Sequence, residues 1–223
     1  MSNASLVDWR RIETVLLDMD GTLLDLHFDN HFWQQHVPLR YAEARGLNHA
    51  EAQEELATRY RHHAGTLEWY SVDFWEETLQ LDIMRLKHEV AHLIAVHPQV
   101  VGFLAALRTS GKRVVLATNA HHKSLTLKMA RTDLSHYFDA LVTSHETGHP
   151  KEAAAFWDAL RTHIGFDPAT TLLVDDSLPV LDAAHAYGIG ALICVRQPDT
   201  RRPPNDTAGY TAIDSFAELL PIA

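Results

Sequence analysis

Residues 14–22 read Thr-Val-Leu-Leu-Asp-Met-Asp-Gly-Thr, and this stretch decides the fold. Its first four residues form a short apolar run, which is typical of a strand buried on both faces. Asp18 and Asp20 are two residues apart, so extended backbone would place both carboxylates on the same side. Gly21 allows the chain to turn sharply away from the strand. The stretch therefore predicts a buried strand that ends in a pair of carboxylates.

Four later runs have the same character, and helical patterns separate them. Near-continuous apolar strands that alternate with helices predict a doubly wound α/β fold around a parallel sheet. The predicted strands cover residues 14–17, 113–117, 140–143, 171–174 and 191–195. The predicted helices cover residues 98–110, 124–131, 152–163 and 179–187, and a loop over 197–206 precedes a short helix over 214–220.

One long segment, residues 28–96, interrupts this alternation. It contains no convincing strand, and apolar residues recur in it at helical spacing, which predicts an insertion of about four helices. We therefore expect an α/β core formed by residues 1–27 and 97–223, with residues 28–96 as an inserted helical cap.

Composition excludes several classes of protein. The chain has 223 residues and a formal net charge of −10, whereas a general nucleic-acid binder or a protein that docks on anionic membranes needs a positive surface. Its single cysteine, Cys194, cannot form an intrachain disulfide. Residues 1–14 contain no apolar signal core, and no apolar stretch is long enough to cross a bilayer. The expectation is a cytoplasmic protein of unassigned oligomeric state.

Polar side chains follow the later strands at the point where each one ends. Thr118 and Asn119 follow the second strand, Lys151 follows the third at an expected helix start, and Asp175 and Asp176 follow the fourth. Because the carboxyl ends of parallel strands meet at one edge of a sheet, these groups should lie close to the first carboxylate pair. A lysine is unfavourable at a helix N-terminus, which indicates another role for it, such as binding an anion. The pattern predicts a site for a cation and an anion.

The order of these residues resembles the haloacid dehalogenase-like hydrolase superfamily. Its four motifs match Asp18-x-Asp20-Gly21-Thr22, Thr118-Asn119, Lys151 and Asp175-Asp176, and the insertion after the first motif is similar to the family's C1 cap. Two-component receiver domains use similar residue types, but there the acidic pair comes first and no large insertion follows. Nearly the whole chain resembles the GMP/IMP nucleotidase subgroup, in the stretches LLDMDGTLLDL (16–26), FDNHFW (28–33), TLEWYSVDFW (66–75), TNAH (118–121), PKE (150–152) and DDSLPVLDAA (175–184).

The resemblance implies a mechanism and a cofactor. Asp18 would be the nucleophile that forms an aspartyl-phosphate, and Asp20 would protonate the leaving group and then activate water. Mg²⁺ would be held by the Asp18 carboxylate, the Asp20 backbone carbonyl and the Asp176 carboxylate. Asp175 would lie next to the metal ligands without binding the metal itself. The alternative is that Asp175 is the direct ligand. Thr118, Asn119 and Lys151 would bind the phosphoryl oxygens.

The implied substrate is a small phosphorylated metabolite, a purine nucleotide such as IMP or GMP. Dehalogenases of the superfamily lack the second Asp, so Asp20 favours phosphate esters. Alternatives are a sugar-phosphate or phosphoglycolate phosphatase, a phosphomutase, or a non-catalytic regulatory protein. Aromatic residues of the insertion could stack on a base, although aromatic residues at helical spacing more often form a core: Phe32, Trp33, Trp69, Tyr70, Phe74 and Trp75. His121 or His122 could lie beside the phosphate, while the spaced histidines His88, His92 and His97 fit solvated surface better than a zinc site.

Overall fold

The computed structural model describes residues 6–222. Residues 1–5 and 223 lie outside the described residues. They belong to the predicted core, and residues 1–5 also begin the segment 1–14 that we expect to lack an apolar signal core. Within residues 6–222, no helix is both long and apolar enough to cross a membrane.

A parallel sheet of six strands forms the centre of the described chain, in the order β3-β2-β1-β4-β5-β6. The strands are β1 Thr14–Leu17, β2 Arg113–Thr118, β3 Ala140–Thr143, β4 Thr171–Asp175, β5 Ala191–Val195 and β6 Ala212–Ile213. The five predicted strands are present to within one residue. The sequence reasoning missed β6, because two residues are too few to show a periodic pattern.

Helices cover both faces of the sheet, which explains why the strands are apolar throughout. Val15 and Leu17 of β1 pack on one face, whereas Leu16 packs on the other. The flanking helices are α7 Val100–Ser110, α8 His122–Thr132, α9 Ser144–Thr147, α10 Ala154–Ile164 and α11 Leu178–Tyr187. This arrangement confirms the predicted doubly wound α/β fold.

The predicted helices of the core are present, with ends that differ from the structure by at most two residues. The helix expected from residue 152 begins at Ala154, so Lys151 lies in the preceding turn rather than at a helix start. The Asn119 side chain accepts the Lys151 N–H, which holds that turn out of the helix. The short helix expected over residues 214–220 is a 3-10 helix, Phe216–Leu219.

The segment between β1 and α7 is helical. It comprises α1 His27–His31, a π-helix Phe32–His36, α2 Val37–Arg45, α3 His49–His63, α4 Leu67–Tyr70, α5 Val72–Leu79 and α6 Ile83–Glu89. The Thr66 and Ser71 side chains cap α4 and α5 separately, which divides the segment more finely than the expected four helices. These helices share a hydrophobic cluster of their own around Trp75. The boundaries at residues 28 and 96 stay a prediction.

Candidate active site

The candidate site lies where the strand order reverses, at the carboxyl ends of β1 and β4. Leu17 pairs with Leu116 on one side and with Val174 on the other, so Asp18 lies between the ends of β2 and β4. Ligands of open α/β sheets bind in the crevice at this reversal. Asp18, Asp175 and Asp176 each bring a carboxylate oxygen within 4.8 Å of the others.

Lys151 lies inside this carboxylate cluster and is 1% exposed. Its Nζ is 2.6 Å from Asp18 Oδ1, 2.6 Å from Asp175 Oδ2 and 2.9 Å from the Ala117 carbonyl oxygen. Burial alone would lower the pKa of Lys151, but the attraction of Asp175 and Asp18 outweighs it and raises the pKa. A permanently charged lysine therefore fixes the orientation of Asp18.

Asp175 and Asp176 differ in their contacts. Asp175 Oδ1 accepts the Ser177 N–H at 2.9 Å and its Oδ2 pairs with Lys151, so both of its oxygens have partners in the chain. Asp176 is less buried than Asp175. It approaches the turn after β1 so closely that a Cβ built on Gly21 would lie 2.5 Å from Asp176 Oδ2. Gly21 also has a φ of +89°, which favours glycine.

The electrostatics of this cluster suit a divalent cation. Asp18, Asp175 and Asp176 share a buried space with the Lys151 ammonium group, which contacts Asp18 and Asp175. With all three carboxyl groups ionised, the negative charge of this cluster exceeds the positive charge. Burial is the main cause that raises the pKa of Asp18 to about 6, and burial together with the charges of Asp175 and Asp18 raises that of Asp176. Like charges in one site bind a proton or a cation, and oxygen ligands are those that Mg²⁺ prefers. The residues present therefore fit a magnesium ion.

Asp20 follows Asp18 by two residues and lines a cavity that Asp18, Asp175 and Asp176 also line. Burial is the largest cause that raises its pKa to about 7, and the neighbouring Asp29 adds to the shift. Its Oδ1 lies 2.6 Å from Nζ of Lys128, a residue of α8. A carboxyl group with a pKa near neutrality can both donate and accept a proton at physiological pH.

Thr118 and Asn119 occupy the end of β2. The Thr118 hydroxyl accepts the Ala120 N–H at 3.0 Å, which leaves its own proton to donate to a ligand. The Asn119 side chain accepts the Lys151 N–H at 2.9 Å and donates to Glu152 at 3.0 Å. That side chain therefore fastens the Lys151 turn to the sheet.

A cavity of about 550 Å³ extends from these residues into the helical insertion. Its size falls within the range of small-molecule sites. Of the aromatic residues singled out in the sequence, Trp33, Trp69 and Tyr70 line it. Phe32 and Trp75 are buried in the core of the insertion, and Phe74 packs beside them.

One of the two histidines beside the second motif also lines the cavity. His121 is buried there, whereas His122 is exposed. Burial lowers the pKa of His121 to about 4, so its imidazole is neutral at physiological pH. His88 and His92 are exposed and His97 bonds to the Pro198 carbonyl oxygen, so none of the three joins the acidic cluster.

Several residues at the cavity escaped the sequence reasoning. Lys87, Lys128 and Asp29 form ion pairs there, and Tyr60 contributes an aromatic wall. Each lies at an ordinary position of a helix, where charged and aromatic residues are typical of solvated faces and cores. The best available signal was the apolar environment of Lys128, since Leu125, Leu127 and Met129 surround it in sequence.

Comparison with known proteins agrees with this geometry. A family model described as haloacid dehalogenase-like hydrolase matches residues 12–188. The chain belongs to this family. The resemblance drawn from the motifs is thereby confirmed, and the chain is a hydrolase.

Individual relatives extend over nearly the whole chain. The GMP/IMP nucleotidase YrfG of Escherichia coli is 38% identical over 215 residues, which is 96% of this chain and 97% of that protein. Among solved structures, a HAD phosphatase from Thermococcus onnurineus superposes with a TM-score of 0.77 at 22% identity, covering 93% of this chain and 96% of the other. A putative beta-phosphoglucomutase from Thermotoga maritima gives a TM-score of 0.67 at 21% identity, covering 93% and 97%. These two structures share the fold.

Proposed function

We propose that the chain is a Mg²⁺-dependent phosphatase that hydrolyses nucleoside 5′-monophosphates, with IMP and GMP preferred. The observation that carries the proposal is the pair of carboxyl groups at the floor of the cavity. Asp18 is buried and held by Lys151 at 2.6 Å, and Asp20 lines the same cavity two residues later. A nucleophile and a proton donor are the two groups that hydrolysis of an alkyl phosphate needs.

The two carboxyl groups differ in their contacts. Asp18 Oδ1 lies 2.6 Å from the Lys151 ammonium group, which favours the carboxylate form that attacks phosphorus. Asp20 lines the cavity, and burial raises its pKa to about 7, so it is suited to give a proton to the departing alkoxide.

The chemistry then proceeds in two steps on the chain's own residues. Asp18 forms a bond to phosphorus while the ester bond breaks, and the proton of Asp20 goes to the leaving oxygen. Asp20 next takes a proton from water as that water attacks phosphorus and releases Asp18. Thr118 and the backbone of Asn119 hold the phosphoryl oxygens, and Lys151 supplies positive charge beside them.

Magnesium fits the acidic cluster on the grounds given above. The Asp18 and Asp176 carboxylates and the Asp20 backbone carbonyl would hold it. Asp175 would not bind the ion directly, because both of its oxygens already have partners within the chain. The ion would neutralise charge on the transferred phosphoryl group, which otherwise repels the approaching carboxylate.

The substrate assignment depends on the cavity and on the relatives. Trp33, Tyr60 and Trp69 line the part of the cavity formed by the insertion, and a planar base can stack on such rings. The E. coli relative that is 38% identical over nearly the full length bears the name GMP/IMP nucleotidase. A purine nucleotide agrees with both the aromatic lining of the cavity and the name of this relative.

Phosphate release from a panel of monoesters tests the proposal. The panel contains IMP, GMP, AMP, XMP, UMP, phosphoglycolate and hexose phosphates, each with Mg²⁺ and with EDTA. We expect the fastest release from IMP and GMP, and none with EDTA. Release from sugar phosphates alone would keep the chemistry and contradict the nucleotide assignment. No release from any compound would contradict the phosphatase assignment.

A further inference from the structure

A chain of buried ion pairs connects Asp20 to the helical insertion. Lys128 Nζ lies 2.6 Å from Asp20 Oδ1 and 2.7 Å from Asp29 Oδ2. Asp29 Oδ1 in turn lies 3.7 Å from Lys87 Nζ. With Asp20 ionised, two acids and two lysines balance in charge, so this chain of ion pairs differs from the acidic cluster that calls for a cation.

The two lysines are almost completely buried. Lys128 is 1% exposed and Lys87 is 3% exposed. Lys87 Nζ also lies 4.4 Å from the centre of the Phe32 ring, which fixes it against the core of the insertion. Apolar residues of similar size are often as stabilising as a buried ion pair, so packing alone does not require charges at these positions.

The geometry at Asp20 distinguishes its two oxygens. Oδ1 is buried and faces Lys128, although a fifth of the side chain is exposed. Oδ2 is therefore the oxygen left to exchange a proton with a ligand in the cavity. A proton donor must lie within hydrogen-bond reach of the atom that it protonates, so fixing one oxygen also fixes the direction of the other.

Asp29 keeps Lys128 in place from the side of the insertion. Burial would raise the pKa of Asp29, but the attraction of Lys128 and Lys87 outweighs it, so the pKa is lowered and the group stays ionised. Asp29 belongs to α1, the first helix after the first motif. The orientation of Asp20 is thus coupled to the position of the insertion.

We propose that Lys128 is a positioning residue that holds the Asp20 carboxyl group for proton transfer to the leaving alkoxide, with Asp29 holding Lys128. This inference rests on the proposed function and deepens it. In the first step, the proton on Asp20 Oδ2 goes to the leaving oxygen as the ester bond breaks. In the second, the same oxygen takes a proton from the attacking water.

Leaving-group dependence separates this role from a structural one. A nucleoside alkoxide is a strong base and needs a proton as it departs, whereas p-nitrophenolate departs without one. Loss of a positioned proton donor should therefore slow the first step of the two substrates unequally. General acid catalysis contributes about 10²- to 10⁴-fold, and a misplaced acid loses part of that.

The test compares Lys128→Met with the wild-type enzyme on IMP and on p-nitrophenyl phosphate, both with Mg²⁺. We expect the single-turnover rate of leaving-group release, which reports the first step alone, to fall about 10²-fold for IMP and less than about 3-fold for p-nitrophenyl phosphate. The second step is common to both substrates, so the comparison uses this first-step rate and not kcat. Asp29→Asn is a nearly isosteric second variant, which carries the test if Lys128→Met does not fold. It should give the same unequal loss, about 10-fold on IMP.

Lys112→Met is the matched control. Lys112 is also a hydrogen-bonded lysine, but its Nζ contacts the carbonyl oxygens of Trp9 and Ile12, outside the cavity lining. It should leave both activities unchanged. The inference, but not the proposed function, would be overturned if Lys128→Met or Asp29→Asn slowed both substrates equally or did not slow IMP. A wild-type enzyme that releases phosphate from neither compound would overturn the proposed function and the inference with it.

Discussion

Replacing Gly21 by alanine should weaken metal binding while leaving the fold intact. The added Cβ would lie 2.5 Å from Asp176 Oδ2, 2.7 Å from its Cγ and 2.8 Å from its Oδ1. These distances are about 1 Å shorter than ordinary contacts between heavy atoms, so the carboxyl group must move by about that much. A displacement of about 1 Å at a catalytic group can cost 10²-fold in rate.

The cost to stability should be modest by comparison. A φ of +89° costs a residue with a Cβ about 1–2 kcal/mol, which corresponds to a fall in Tm of about 2–8 °C for a chain of this size. Gly188→Ala is the matched control, because Gly188 has a φ of +98° and no atom within 4 Å of an added Cβ. Both variants should lose similar stability.

Calorimetric titration with Mg²⁺ and phosphate release from IMP distinguish the two variants. We expect Gly21→Ala to bind Mg²⁺ at least about 10-fold more weakly and to lose about 10²-fold in kcat. Gly188→Ala should match the wild-type enzyme in both measurements. If Gly21→Ala binds Mg²⁺ and turns over as Gly188→Ala does, the close approach of Asp176 to this turn has no part in the site.

Three further outcomes follow from the site. In EDTA, the stability that Asp18 and Asp176 contribute should be lost as pH rises from about 4 to 7, because their folded-state pKa values, about 6 for Asp18, both lie above that of a free carboxyl group. In thermal melts the wild-type chain should therefore lose Tm relative to Asp176→Asn over this range, and the same pH dependence in both proteins would contradict the coupling. Lys151→Met should lower the free energy of unfolding by about 3–5 kcal/mol in urea, since it leaves Asp18 and Asp175 buried without a cation; a loss below about 1 kcal/mol would show that the ion pairs are weak. In steady-state assays, Trp69→Ala should raise KM for IMP about 10-fold and leave KM for p-nitrophenyl phosphate unchanged, because only IMP has a base that can stack on this ring. Equal effects on both KM values would exclude stacking of the base on Trp69.

Much of the fold was predictable because buried parallel strands are continuous apolar runs. The ends of β1, β2 and β4 also marked the candidate residues, since carboxyl ends of parallel strands share one edge. The structure places Asp18, Thr118 and Lys151 along one cavity, together with Asp175 and Asp176. Their catalytic roles stay predictions.

The ion pairs beside Asp20 could not be predicted from the sequence. Lys128 and Asp29 are 99 residues apart, and a single lysine on an amphipathic helix usually faces solvent. Tyr60 and Trp75 were equally hard to separate, because an aromatic residue that lines a cavity and one that fills a core have the same helical spacing. Only the packing of the insertion distinguishes them, with Trp75 fully buried and Tyr60 at the cavity.

Phosphate release from IMP by the wild-type chain and by Asp18→Asn tests the assignment of the nucleophile most directly. Asparagine keeps the size of the side chain but cannot attack phosphorus as a carboxylate. We expect continuous release with Mg²⁺ from the wild-type chain, and none above background from the variant, with both proteins folded by circular dichroism. Release by Asp18→Asn at the wild-type rate would contradict the central role of Asp18.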